Sequence, residues 1–121
     1  MDLLLRRGRK ALDEEDITAA IEHFTALTDH APGFAEGWHG LARAYFAAEL
    51  YGPCLDALGH VIDLNPDNYH AIFGLGSLFQ RFEDYRRAET AFRQVLELNP
   101  NHEEAQDALD RLQQEGIGRE L

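Results

Sequence analysis

The chain has 121 residues, 45% hydrophobic and 10% aromatic, which suits one domain around one core. Lys and Arg number 11 against 22 Asp and Glu, and the formal charge of -11 repels phosphates and anionic headgroups, so neither nucleic acid nor a membrane surface is an expected partner. No apolar run approaches the roughly 20 residues of a bilayer crossing, and Leu3, Leu4 and Leu5 precede Arg6, Arg7, Arg9 and Lys10 in the reverse of an export signal's order. A cytoplasmic location is expected, or a periplasmic or secreted one if a leader has been trimmed away.

Proline sets the period. Pro32, Pro66 and Pro100 each follow the last by 34 residues, and Asp63-Leu64-Asn65-Pro66-Asp67-Asn68 is echoed by Glu97-Leu98-Asn99-Pro100-Asn101-His102. The expected units are 1–34, 35–68 and 69–102. In the first, Leu4, Gly8 and Ala11 fall at helical spacing, the acidic run 13–16 breaks the helix, and Ala20, Phe24 and Leu27 define a second amphipathic helix that ends before Pro32. The second unit repeats this with Trp38, Ala42 and Tyr45, a break over 49–53, then Cys54, Leu58 and Val61, with Pro53 placed in a first helical turn where its missing N–H is no loss. The third unit has Ile72, Gly76 and Phe79, a break over 82–85, then Ala88, Phe92 and Val95. Acidic residues in the breaks favour the positive N-terminal end of the helix that follows. Residues 103–115 put Ala105, Ala108, Leu109 and Leu112 on one face, with Asn101 as the expected cap, and read as a closing helix before a disordered tail at 116–121. A single cysteine makes no internal disulfide, and Cys54 reads as a small core residue.

Trp38-x2-Leu41-Ala42-x2-Tyr45, Leu75-Gly76-x2-Phe79, Ala88-x3-Phe92 and the three prolines resemble the tetratricopeptide repeat, a 34-residue helix-turn-helix unit, over residues 1–102. The first unit departs most, with Arg7 where Leu41 and Leu75 stand and Ala11 in the aromatic slot, so its leading helix is expected to pack loosely. The resemblance implies an all-α, right-handed solenoid of three helical hairpins plus a capping helix, about seven helices in all. Single hairpins cannot hide their large side chains, so stability must come from stacking neighbours. It further implies that the leading helices line a concave groove that holds a peptide segment of a partner protein.

Two columns of leading-helix residues remain once core positions are removed: Leu5, His39, Phe73 and Asp107, then Arg9, Arg43, Ser77 and Arg111. Arg9 with Asp13, and Arg111 with Asp107 or Glu115, have the i, i+4 spacing of helix-surface ion pairs. Arg43 has His39 and Ala47 at those spacings and is the arginine expected to meet a partner's carboxylate. Phe46, His70 and Arg81 complete a basic and aromatic wall in an acidic protein, although Phe46 and Phe73 also suit a core. The expected partner is a protein or peptide that is acidic, C-terminal or aromatic-containing. Some domains of the resembling family grip a terminal carboxylate with a lysine, asparagine and arginine clamp; Leu5, Gly40, His70 and Gly74 stand at the places such a clamp would need, which argues against that mode. The rival expectation is self-association, or a structural segment of a larger assembly with no separate ligand.

No cofactor, metal or catalytic role is expected. His23 and His30 lie two helical turns apart, too far to share a metal, and no Cys or His cluster has metal-site spacing. The segment Gly74-Leu75-Gly76-Ser77 lacks the pattern of a phosphate loop or nucleophile elbow and reads as close helix packing.

Overall fold

In the computed structural model, which describes residues 2–114, seven helices follow in order: α1 (Asp2–Asp13), α2 (Ile17–His30), α3 (Ala35–Ala47), α4 (Tyr51–Leu64), α5 (Tyr69–Arg81), α6 (Tyr85–Leu98) and α7 (Glu103–Gln114). No strand occurs among the described residues, as the all-α expectation requires. The expected tail at 116–121, together with Glu115, lies outside the described residues. Pro53 stands in the first turn of α4, where it was expected.

Every hairpin turns through the same hydrogen bonds. Asp16, Leu50 and Asp84 donate their backbone N–H to Ala11, Tyr45 and Phe79 carbonyls at 2.8, 2.9 and 2.8 Å, while Glu15, Glu49 and Glu83 donate to Leu12, Phe46 and Gln80. These paired bonds are a Schellman closure, which needs a left-handed residue at its centre. Glu15, Glu49 and Glu83 each hold φ at 60°, a region costly for a side chain with a Cβ. The three turns are therefore equivalent in strain as well as in bonding.

Packing divides the chain into two units, residues 1–66 and 67–121. In the first, α2 packs on α1 and α3, and α3 packs on α4. Phe24 of α2 is fully buried between two glycines: a Cβ on Gly8 would lie 2.7 Å from its ring, and one on Gly40 only 2.3 Å. The glycines are thus the space in which the ring sits, and burying such a side chain contributes roughly 1.5–3 kcal/mol. Leu27, Leu41, Ala44, Leu58 and Val61 extend this core.

In the second unit α6 packs on α5 and α7. Phe92 repeats the arrangement of Phe24, with a Cβ on Gly76 falling 2.6 Å from its ring and with Ala108, Leu109 and Leu112 of α7 in the same cluster. The middle hairpin has Ala42 and Leu58 in these two columns, both buried. A smaller side chain on the second helix therefore accompanies a larger one on the first.

Helix starts differ more than helix interiors. Asp16 and Asp84 cap α2 and α6 by accepting from Ala19 and Arg87 N–H, whereas Leu50 before α4 has no side chain able to do so. Asn68 caps α5 by accepting from His70 and Ala71 N–H at 3.1 and 3.3 Å. Asn101, the expected cap of α7, instead donates its N–H to Asn99 Oδ1, and the cap is His102, whose Nδ1 accepts from Ala105 N–H at 3.1 Å. The helix begins one residue later than an Asn101 cap would require.

Candidate functional site

Arg43 is the sole Lys or Arg between residues 11 and 80, a stretch with eleven Asp or Glu. Exposed on α3, it makes no ion pair among the described residues. It lines an open cleft of about 390 Å³ with Leu12 of α1, Glu15 of the first turn, Ile17 of α2 and Ala47 of α3. The cleft therefore has an aliphatic lining, one guanidinium and one carboxylate. Arg43 offers a planar fork of donors suited to a carboxylate held in two bonds.

The other first-unit residues divide in role. Arg9 pairs with Glu36 of α3 at 2.9 Å rather than with Asp13, because α1 and α3 are neighbours and bring together residues 27 positions apart. Both partners are more than half exposed, so the pair is held weakly against solvent. His39 and Phe46 are half-buried, and Phe46 meets Tyr51 edge-on with ring centres 5.7 Å apart. Leu5, grouped with the groove column on sequence grounds, is instead 8% exposed and belongs to the core.

In the second unit His70 is exposed and rests on Tyr69 with ring centres 4.4 Å apart, and Arg81 is exposed in the last turn of α5. Phe73 is half-buried and packs towards the closing cluster, 5.4 Å from Phe92 and 5.0 Å from His102. The Ser77 hydroxyl donates to the Phe73 carbonyl at 3.2 Å, so its hydrogen is spent within α5. Arg111 is exposed on α7.

Two histidines outside the expected set have defined work. His60 of α4 stacks on Trp38, ring centres 3.8 Å apart and planes 12° from parallel, while the indole N–H donates to the Pro32 carbonyl at 2.8 Å. His102 caps α7, as described above. Neither follows from helical periodicity; the recurrence of Phe34, Asn68 and His102 at one place in the repeat is the signal that marks the latter. Cys54 is buried, donates to the Ala42 carbonyl at 3.3 Å, and burial pushes its thiol up to about 11, the behaviour of a core residue. Among the described residues no group of three His, Cys, Asp or Glu could hold a metal ion, and no helix is long and apolar enough to cross a membrane.

Comparison with known proteins gives a consistent result. Tetratricopeptide-repeat models match residues 5–52 and 69–102. The chain is 30% identical over 99 residues to the general transcriptional corepressor ssn6 of Schizosaccharomyces pombe, covering 78% of this chain and 9% of that protein. It is 22% identical over 118 residues to a TPR repeat-containing protein of Rhizobium etli, covering 98% of this chain and 58% of the other. The chain thus spans less than two thirds of the length of either curated relative. Among solved structures, the first TPR of Spaghetti (RPAP3), bound to the HSP90 peptide SRMEEVD, superposes with a TM-score of 0.89 at 23% identity, covering 95% of this chain and 91% of that one. With its 34-residue columns, its three repeated turns and these matches, the chain belongs to the tetratricopeptide-repeat proteins.

Proposed function

We propose that the chain binds a carboxylate-bearing segment of a partner protein and that Arg43 anchors it. The observation that carries this reading is a guanidinium with no ion pair among the described residues, in a cleft with Leu12, Ile17 and Ala47. In a stretch otherwise short of cations, Arg43 favours an anion at this place, and the aliphatic lining favours an apolar group beside it. Glu15 in the same cleft works against a run of acids and favours one carboxylate next to a hydrogen-bond donor. Further candidate contacts, carried from the repeat columns of the sequence alone, are Arg9, His39 and Phe46 in the first unit and His70, Phe73, Ser77, Arg81 and Arg111 in the second. A cytoplasmic setting belongs to the same proposal, a concave groove is what the family resemblance implies for it, and no catalytic step is part of it.

The neighbour solved with SRMEEVD lends weight to a peptide ligand for this fold. A terminal-carboxylate clamp of the kind set aside on sequence grounds gains nothing from the local geometry, since Leu5 is buried and a side chain on Gly40 would collide with Phe24. The test is titration calorimetry with a partner recovered by affinity purification on the full chain. Arg43→Ala is expected to weaken binding by about tenfold or more, the scale of one lost charge-assisted hydrogen bond, and Arg43→Lys by less. Unchanged affinity in Arg43→Ala, or in Arg43→Ala with Phe73→Ala, sinks the site assignment.

A second reading is favoured by the short share of the curated relatives that the chain spans: the repeats serve as one structural segment of a longer assembly, or self-associate. Light scattering across a dilution series separates the two, because an oligomer that persists on dilution and blocks the partner supports this second reading.

A further inference from the structure

The leading helices α3, α5 and α7 begin at one column of the repeat and solve the same problem in three ways. Phe34 before α3 offers no acceptor, and Asn68 before α5 offers an amide oxygen that accepts at any pH. His102 before α7 offers Nδ1, which accepts from Ala105 N–H at 3.1 Å. Imidazole accepts through Nδ1 only when that nitrogen is bare, so this cap requires the neutral ring with its proton on Nε2. The same Nδ1 lies 3.4 Å from a carboxylate oxygen of Glu104, and the His102 side chain is only 9% exposed. Tyr69 and Phe73 of α5 meet the ring at 5.7 and 5.0 Å. Tyr69 from α5 and Glu104 from α7 are the titratable groups seen to contact it among the described residues.

We propose that His102 is a proton-operated latch on α7. Neutral, it caps the helix. When a solvent proton binds Nδ1, the new N–H turns to Glu104, Ala105 N–H loses its acceptor, and a positive charge stands at the positive end of the helix. The cap is complete while the ring is neutral and is lost when acidification protonates it. Ala108, Leu109 and Leu112 of α7 share a cluster with Phe92, against which Phe73 also packs. Loosening α7 therefore uncovers apolar surface beside Phe73 and couples proton uptake to exposure of that face.

Hydrogen exchange on the full chain tests this, with α7 amides compared at about pH 7.5 and about pH 5 after correction for intrinsic rates. Wild type is expected to lose protection in α7 by about fivefold on acidification, the equivalent of one lost cap. His102→Asn is expected to keep it, because the amide caps in both conditions as Asn68 does. Ring nitrogen shifts are expected to show the Nε2-protonated tautomer at the higher pH. An equal acid loss in His102→Asn and wild type, no loss in wild type, or a proton on Nδ1 at the higher pH overturns the latch.

Discussion

Hairpin α3–α4 and hairpin α5–α6 close with matching backbone bonds and bury matching columns, yet their helix ends are built differently. In α5–α6 both helices start with an accepting side chain, Asn68 and Asp84, and α6 carries the pairs Arg87–Asp84 and Arg93–Glu89 at 3.5 and 2.7 Å. In α3–α4 both helices start with an apolar residue, Phe34 and Leu50, and α4 contains Gly52, Pro53 and Gly59. Glycine in a helix interior weakens it by about 0.8–1 kcal/mol relative to alanine, and a missing cap by about 1 kcal/mol. The middle hairpin therefore holds its shape by side-chain packing with little local help, and a shared template does not mean shared stability.

The largest effect is expected at the glycine under the aromatic ring. Gly76→Ala places a Cβ 2.6 Å from Phe92, so overpacking of roughly 3 kcal/mol outweighs the gain in helix propensity and the second unit is expected to lose about 2 kcal/mol. Adding Phe92→Leu converts the pair to the Ala42 and Leu58 combination of the middle hairpin. The double variant is expected to be more stable than the sum of the single effects by about 1 kcal/mol or more. Urea unfolding followed by helix-resolved hydrogen exchange reads the cycle. Simple additivity would mean that ring and helix do not share the space described.

That pairing was half legible in the sequence. Gly8, Gly76, Phe24 and Phe92 stand out because burial recurs at the repeat period, so a column of small residues and a column of large ones imply each other. What periodicity leaves unread depends on geometry across the fold or on a single proton. Arg9 meets Glu36 because α1 lies beside α3, whereas spacing rules compare only residues of one helix. Leu5 is buried and Leu4 half-buried, a difference of one step around a helix that a hydrophobic triplet does not specify. The left-handed Glu15, Glu49 and Glu83 are hidden because glycine is the usual signal for that conformation. His102 is hidden from helical spacing because a ring nitrogen acts as a cap only in one tautomer, and its alignment with the cap Asn68 one repeat earlier is what points to it.

A smaller effect is expected at the helix starts. Leu50 is 47% exposed, so Leu50→Asp gives up little packing and adds the acceptor that α4 lacks, for a gain of about 1 kcal/mol. Asp84→Ala is the mirror change in α6 and is expected to lose about as much. Opposite shifts in the protection of α4 and α6 amides check the pair, and a loss in both would show that Leu50 has a packing role its exposure hides.

The smallest effect separates propensity from packing. Nothing lies within 4 Å of a Cβ built on Gly59, in contrast to the crowding at Gly76. Gly59→Ala is therefore expected to stabilise α4 by about 0.8 kcal/mol, the helix-propensity difference alone. The same chemical change thus has opposite signs in α4 and α5, because one glycine borders open space and the other borders a ring. If thermal unfolding and exchange show Gly59→Ala to be destabilising, then α4 depends on a close approach at that position, and the middle hairpin is held by a contact rather than lacking one.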